Sequence, residues 1–255
     1  MALWPRQYSM RAEEYEVMYQ VEERHWWYLG MERITCELLD QTVGRGRNLQ
    51  VLDAGCGTGA VMRYLAPYGI VTGFDFSPEA LHFSRQRGHL RLAQASVLAA
   101  PFAANTFDLI VSFDVISEAA VDDARPLSEF ARLLKPGGHL LLRLPAYRWL
   151  HGRHDEAVAT VHRYTRPEIE RNLRRAGLTV QHTSYANAVL FPVAVLKRWS
   201  ERFTPRSQIE SDLTIGTGPL NPVLRTILSA EAPLVRSIGL PFGLTVVTLA
   251  RKESA

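Results

Sequence analysis

The stretch VLDAGCGTG, at residues 51–59, decides the fold. It joins a short apolar run to three alternate glycines, and residues 60–66 continue with a helical pattern. A glycine tolerates positive φ and has no Cβ, so a ligand can lie directly against the backbone. The start of the following helix offers unpaired N–H groups to a polar or anionic group. The stretch therefore predicts a strand, a ligand-binding loop and a helix. Because Gly55-x-Gly57-x-x-Ala60 also fits the dinucleotide-binding pattern, the loop alone leaves the cofactor open.

Short apolar strands and helices alternate along the rest of the chain. Two of the helix starts have a strong local signal, since Ser77 and Thr165 stand as N-caps just before a proline-containing first turn. Alternation of this kind predicts an α/β, Rossmann-like, doubly wound and mostly parallel sheet of seven strands with helices on both faces. The strand candidates are residues 49–53, 70–75, 90–94, 107–112, 139–144, 178–184 and 244–250.

Two segments fall outside the alternation. Residues 1–48 are predicted as an N-terminal helical extension of two helices, and residues 186–240 as a helical cap insert between the last two strands. The ligand-binding core then consists of residues 49–185 and 241–255. The apolar part of the insert, residues 188–196, is about half as long as a membrane span needs. We expect the insert to cover the ligand site, with a dimer interface or contact with a membrane surface as the alternatives.

The composition limits the class of protein. The chain has 255 residues, 47% of them hydrophobic, which suffices for a sizeable core, and its formal net charge is only +3. The basic run at residues 163–175 has a single aromatic residue, Tyr164, and the net charge is low, so we expect no nucleic-acid partner. Two cysteines, Cys36 and Cys56, are too few for a disulfide framework. Charged residues occur so early in the sequence that no apolar targeting segment is expected before them. These features predict a cytoplasmic protein.

An acidic residue ends the strand after the glycine loop. The carboxylate of Asp75 stands where it can accept both hydroxyls of a ribose, and Phe76 stands where it can pack on a purine. A helix-capping or turn role for Asp75 is the alternative. Ser77 already occupies the capping position, which favours the ligand role.

Four motifs follow one another along the chain: VLDAGCGTG (51–59), GFDFSPEAL (73–81), AAPFAANTFDLIVSFDVI (99–116) and LLKPGGHLLLRLP (133–145). In this order they resemble the motifs of the class I S-adenosylmethionine-dependent methyltransferases with a type-11 methyltransferase domain. The resemblance covers about residues 49–144. A nicotinamide enzyme would not be expected to carry the KPGG run before its fifth strand. The resemblance implies S-adenosylmethionine as the cofactor.

The resemblance also implies cofactor-binding roles for individual residues. Asp75 binds the ribose hydroxyls, Phe76 flanks the adenine, and Ser96 and Val97 line the adenine edge. Two positions depart from the family pattern: Ser96 stands where an acidic residue is frequent, and Ser117-Glu118 stands where Glu-His is frequent. The residues around the methionine end and the sulfonium are Asp53, Ala54, Gly55, Cys56, Gly57, Gly59, Ser112 and Phe113.

The flanking segments resemble a subset of these enzymes. The run HWWY at residues 25–28 is similar to an N-terminal signature of that subset. The later stretch LPAYRWLHGRHD, followed by HRYTRPEI, also resembles that subset. Two adjacent tryptophans cannot both face one side of a helix. We therefore expect one side chain, Trp27 or else Tyr28, to cover the cofactor cleft, with simple anchoring of the extension on the sheet as the alternative.

A polar cluster follows the fifth strand. Ligands of open α/β sheets bind beyond the carboxyl ends of the strands, so we expect this cluster near the methyl acceptor. His154 beside Asp155 is the leading candidate base, with His162 as a second, since a histidine titrates near neutrality. Structural hydrogen bonding and metal binding are the alternatives; the spacing matches no standard metal motif, and we expect no metal. Predicted substrate contacts are Tyr147, His151, Arg163 and Tyr164.

The sequence therefore predicts methyl transfer from S-adenosylmethionine to a small organic molecule or a saccharide or lipid conjugate, with transfer to oxygen favoured. One alternative is a protein of this fold that binds the cofactor without transferring the methyl group, such as a cyclase or a regulator. A nicotinamide-dependent oxidoreductase is the other, weakened because no Tyr-x-x-x-Lys pair follows the fourth strand. The oligomeric state stays open.

Overall fold

The sheet has the predicted architecture in the computed structural model, which describes residues 10, 12–117, 124–152, 155, 160–201 and 218–254. Its seven strands lie in the order β3-β2-β1-β4-β5-β7-β6. Neighbouring strands are parallel except that β7 runs antiparallel to both β5 and β6. The strands are β1 (Leu49–Ala54), β2 (Gly69–Asp75), β3 (Leu92–Gln94), β4 (Phe107–Phe113), β5 (Leu134–Pro145), β6 (Leu178–Ala186) and β7 (Thr245–Lys252).

Helices cover both faces of the sheet, and two of them begin as the sequence predicts. Ser77 accepts a hydrogen bond from the backbone N–H of Ala80 at 3.2 Å, and Thr165 forms a capping box with Glu168. Among the described residues, no helix combines the length and apolarity needed to cross a bilayer. The helices are α1 (Ala12–Val21), α2 (Trp26–Thr42), α3 (Ala60–Leu65), α4 (Pro78–Gln86), α5 (Ala124–Leu133), α6 (Arg166–Arg175), α7 (Phe191–Glu201), α8 (Asn221–Ala230) and α9 (Ala232–Ser237).

The strand register brings one set of strand ends to a common edge. Phe113 at the end of β4 is paired with Arg143 of β5, while β2 extends to Asp75, just past the end of β1. Thr245, the first residue of β7, pairs with Pro145 of β5 and therefore lies at the same edge. This edge is where a parallel α/β sheet binds its ligands.

The insert between β6 and β7 divides into two parts, which differs from the expected single cap. Helix α7 borders the ligand edge of the sheet, whereas α8 and α9 pack against α2. Leu228 of α8 lies so close to Gly30 that a Cβ there would be 2.6 Å from its side chain, and Val235 of α9 shares a buried cluster with Ile34. The apolar face formed by β1, β4, β5 and β7 requires this cover, so α8 and α9 complete the core.

Candidate functional site

A cavity of about 440 Å³ runs along the ligand edge of the sheet. Its wall is contributed by α1, α2, the glycine loop, the ends of β2, β4 and β5, the residue after β6, and α7. Its volume lies in the usual range of small-molecule sites, roughly 300–1,000 Å³. The predicted site residues that line it are Trp27, Asp53, Gly55, Cys56, Gly57, Asp75, Phe76, Ser96, Val97, Phe113, Asp155 and Arg163.

The glycine loop folds back against β2. The N–H groups of Gly55 and Cys56 both donate to the Phe74 carbonyl, at 2.8 and 2.9 Å. Gly55 has φ +83°, and a Cβ at this position would overlap the side chain of Val115. Both features require glycine here, and they leave the backbone of the loop open towards the cavity.

Asp75 is fixed between the loop and the next helix. One carboxylate oxygen accepts the N–H of Gly57 and the other accepts the N–H of Ser77, each at 2.9 Å. Burial raises the pKa of Asp75, although these backbone hydrogen bonds favour its charged form. The carboxylate is therefore held rigidly at the cavity wall with lone pairs left for hydroxyl donors.

Asp53 is the least satisfied carboxylate of the cavity. It is 1% exposed, and its Oδ2 has no hydrogen-bond partner among the residues that the structure describes. Burial, together with the nearby charge of Asp75, raises the pKa of Asp53 to about 8. A buried, unpaired acceptor of this kind is costly unless a donor from a ligand satisfies it.

Helix α1 forms one wall of the cavity through Tyr15, Met18 and the adjoining Glu22. Glu22 accepts a hydrogen bond from the Thr58 hydroxyl of the glycine loop and pairs with Arg87 at 2.7 Å. Burial raises the pKa of Glu22 to about 7. The N-terminal extension is thus tied directly to the loop that it covers.

A second arginine, Arg143, lies where β5 meets α2. Its guanidinium stacks on Trp27 at 4.8 Å and on Phe113 at 4.6 Å from the ring centroids, and its Nε donates to Asp114 at 2.8 Å. Trp27 therefore lines the cavity and also packs against Arg143 of the sheet. Its position is compatible with both predicted roles, covering the cleft and anchoring the extension.

Asp155, the predicted neighbour of the candidate base His154, is engaged in an ion pair within the protein. Asp155 is 1% exposed; it accepts from Arg163 Nε at 2.9 Å and from the N–H of Gly152 at 2.8 Å. Arg163 also donates to the Ala146 carbonyl at 2.8 Å. The pair lines the cavity but its hydrogen bonds are directed within the protein, which favours the structural alternative. His154 lies outside the described residues.

The other predicted acceptor-site residues do not line the cavity. His162 contacts Glu168 at 2.8 Å, and Tyr164 is fully buried in the core between the strands and α6. His151 lies near the Thr160 carbonyl, and Tyr147 stacks on Tyr185. Loop residues after a strand can turn either way: His162 turns towards α6, Tyr147 towards β6, and His151 towards its own loop. Among the described residues, no three side chains of His, Cys, Asp or Glu come together as metal ligands.

Three predicted cofactor contacts also lie behind the cavity wall. Ala54 is fully buried, and its carbonyl accepts the Ser112 hydroxyl at 2.9 Å, so these two residues join β1 to β4. Gly59 begins α3 with φ +89° and lies against Ser84 and His89. Each supports the loop from the side away from the ligand space.

Sequence reasoning missed Arg143, Glu22 and Asn187, all of which line the cavity. Asn187 is 2% exposed with φ +60°, and its Oδ1 has no hydrogen-bond partner among the described residues. Glu231 holds the backbone just beyond it by accepting the N–H groups of residues 188 and 189. An arginine inside the apolar run LLRLP was a usable signal for Arg143; Glu22 and Asn187 gave none.

Comparisons with known proteins agree with this geometry. Residues 52–142 match the family model described as a methyltransferase domain. The demethylmenaquinone methyltransferase of Tropheryma whipplei is 33% identical over 129 residues, which is 48% of each chain. The malonyl-[acyl-carrier protein] O-methyltransferase of Enterobacter lignolyticus is 34% identical over 113 residues, covering 43% of this chain and 44% of that protein. The chain thus spans about half the length of the curated relatives it matches.

Solved structures resemble the chain over nearly its whole length. The putative methyltransferase in complex with the Haloferax volcanii Trm112 methyltransferase activator covers 96% of this chain and 95% of its own, with a TM-score of 0.59 and 22% identity. Geranyl diphosphate C-methyltransferase from Streptomyces coelicolor covers 86% of this chain and 79% of its own, with a TM-score of 0.55 and 20% identity. At these identities the likeness establishes the fold alone.

Proposed function

We propose that this chain, whose residues 52–142 match a methyltransferase domain, binds S-adenosylmethionine and transfers its methyl group to a small organic acceptor. The single observation that supports this most is the continuity of the cavity. One space is lined both by the glycine loop with Asp75 and by residues beyond β5 and β6, such as Arg163 and Asn187. Two reactants can therefore meet in it.

The chain's own residues fit the cofactor. Asp75 would accept the ribose hydroxyls, Phe76 and Val97 would flank the adenine, and the backbone at Gly55 and Gly57 would lie along the amino-acid end. When bound, the cofactor supplies a methyl group on a positively charged sulfur, so that a neutral thioether leaves. The protein then has to orient the two reactants and exclude water, which α1 and α2 do from above the loop.

For the acceptor we propose an oxygen of a small organic molecule or of a saccharide or lipid conjugate. Two cationic side chains of α7, Lys197 and Arg198, border the far part of the cavity, beside the neutral ion pair of Arg163 and Asp155. Positive charge favours an ionised oxygen, which attacks a methyl group without help from a base. The relatives are named for transfer both to carbon and to oxygen, so the reacting atom is part of the proposal.

Calorimetric titration tests the cofactor part. We expect the protein to bind S-adenosylmethionine and S-adenosylhomocysteine but not NAD, and the Asp75→Ala variant to lose this binding. Asp108→Ala is a matched control, because Asp108 lies on β4 with its carboxylate paired to Lys135 at 2.8 Å and does not line the cavity. Binding of NAD alone would overturn the proposal.

A transfer assay tests the acceptor part. Labelled methyl groups from S-adenosylmethionine are offered with phenols, carboxylic acids, sugars and lipid-linked sugars, and the products are located by mass spectrometry. We expect label on oxygen. Label on carbon or nitrogen only would refute the oxygen assignment, while tight cofactor binding without transfer to any acceptor would favour a cofactor-binding protein that does not transfer the methyl group.

A further inference from the structure

Asn187 brings a carboxamide to the part of the cavity that lies away from the glycine loop. It follows β6, the edge strand, and the loop follows β1, four strand positions away in the order β1-β4-β5-β7-β6. At about 4.8 Å between neighbouring strands, the separation is about 19 Å across the sheet. The side chain nevertheless lines the same cavity, and so does Thr245 at the start of β7. Asn187 therefore belongs to the acceptor part of the cavity.

The carboxamide of Asn187 has no hydrogen-bond partner within the described part of the protein. The residue is 2% exposed, its Oδ1 is buried and unpaired, and its amide nitrogen donates to none of the described residues. A buried polar atom without a partner lowers the stability of the folded protein by its desolvation cost. Glycine at this position would avoid that cost and would suit the positive φ equally well. Folding alone therefore does not explain the asparagine.

The backbone on both sides of Asn187 is held in place. Ala186, just before it, is fully buried and paired with β7. Just after it, the N–H groups of residues 188 and 189 donate to the carboxylate of Glu231 at 3.1 and 2.9 Å, and Glu231 is itself only 3% exposed. The φ of Asn187 is +60°, in the left-handed region that favours glycine. A buried carboxylate and an unfavourable φ thus together fix one carboxamide at the cavity wall.

We infer that Asn187 is a specificity-determining residue that binds two neighbouring hydroxyl groups of the methyl acceptor. A carboxamide carries an acceptor oxygen and an N–H₂ donor side by side, and adjacent hydroxyls can satisfy both at once. A carboxylate has no donor and an ammonium has no acceptor. An amide offers the same pattern but no hydroxyl to be methylated. The inference rests on the proposed function, and it narrows the acceptor to a diol, of a sugar ring or of a catechol.

Thermal unfolding of the ligand-free protein tests whether the carboxamide serves a ligand. Asn187→Gly removes the unpaired group and keeps the positive φ. Asn48→Gly is the matched control, because Asn48 has φ +52° but is exposed and does not line the cavity. We expect the melting temperature to rise further in Asn187→Gly than in Asn48→Gly, by about 2–4 °C or more. A rise no larger than that of the control, or a fall, would show that the carboxamide is satisfied within the protein and would overturn the inference.

Transfer assays with matched acceptors test the class of ligand. The probes are catechol with phenol, and trans-1,2-cyclohexanediol with cyclohexanol, so that the members of each pair differ by one hydroxyl group. We expect the wild-type kcat/KM to favour a diol over its partner by about 10- to 100-fold, the range for losing a hydrogen bond to a buried group. In Asn187→Gly this preference should fall below about threefold. The pair that responds distinguishes a catechol from the ring diol of a sugar.

The remaining outcomes separate this inference from the proposed function. If the wild-type protein does not bind S-adenosylhomocysteine, the proposed function fails. If it binds this ligand but methylates phenol or cyclohexanol as well as the matching diol, only the inference fails. With none of the four probes methylated, the melting temperatures alone uphold or overturn the inference. Weaker binding of S-adenosylhomocysteine in Asn187→Gly would assign Asn187 to the cofactor and would also overturn it.

Discussion

Arg87 connects α1 to the glycine loop, and its removal should release the helix. Its Nη2 donates to Glu22 at 2.7 Å and to the Tyr19 carbonyl at 2.9 Å, while its Nε donates to the Thr58 carbonyl at 2.8 Å. The guanidinium also lies 4.4 Å from the centroid of the Tyr19 ring. The side chain is only 8% exposed, so these interactions are shielded from water. We consider the variant Arg87→Met, which keeps the length of the side chain and removes its charge and donors.

The cost follows from the partners that are left behind. Removing one member of a buried ion pair costs about 3–5 kcal/mol when the other charge stays ionised. Glu22 can avoid most of that cost by taking up a proton, since its pKa is already raised to about 7. The carbonyls of Tyr19 and Thr58 still lose charged donors, at about 1–2 kcal/mol each. We therefore expect a loss of about 2–4 kcal/mol, concentrated in the docking of α1.

Hydrogen exchange measures this loss where it occurs. A docking energy lower by about 2–4 kcal/mol should speed exchange of the α1 amides by a factor of about 30 or more, with little change in the central strands. Arg33→Met is the control: the Arg33–Glu37 pair on α2 is exposed, and such pairs contribute about 0–1 kcal/mol. Unchanged protection of α1 in Arg87→Met would refute the reasoning, as would an equal loss of protection throughout the sheet.

Three further predictions concern stability. The pKa of Asp53 is raised from 3.8 to about 8, so the free energy of unfolding falls as the pH rises across that interval. Urea unfolding of Asp53→Asn should show a smaller decrease of this free energy between pH 4 and pH 8. Gly55→Ala should lower the free energy of unfolding by at least about 1 kcal/mol more than Gly46→Ala, because Gly46 shares a positive φ but has open space around it. Gly30→Ala should lower the melting temperature despite its better helix propensity, and Leu228→Ala should relieve part of that loss in the double variant, because the added methyl group meets the Leu228 side chain.

The strands and the glycine loop were predictable because their causes are local. A buried parallel strand is a short apolar run, and the predicted ends of six of the seven strands lie within two residues of those observed. The fifth strand is the exception: it begins at Leu134 instead of residue 139, because the KPGG run continues the strand across a register irregularity beside β4. Composition suggested a turn there, and pairing with β4 overrides it.

The acceptor side was less predictable because it depends on long-range contacts. Residues 151–164 contain three histidines, and their closeness in sequence suggested one reactive cluster. In the fold, Asp155 turns inward to Arg163 and His162 turns to Glu168 at the start of α6. The order of polar residues in a loop does not determine which of them face a cavity. The same limit concealed Glu22, whose partners are 36 and 65 residues away.

The unpaired polar groups connect the cavity to the stability of the whole protein. Among the described residues, Asp53 Oδ2, Trp26 Nε1 and Asn187 Oδ1 are buried without a partner and line this one space, whereas the unpartnered hydroxyls of Thr183 and Thr248 lie away from it. Each unsatisfied group costs about 1–3 kcal/mol, which is a sizeable part of the net stability of a domain. A ligand that satisfies them binds only the folded state, so it stabilises that state in proportion to the logarithm of its concentration over its dissociation constant. The three groups that line the cavity are therefore explained together if their partners arrive with the cofactor and the acceptor.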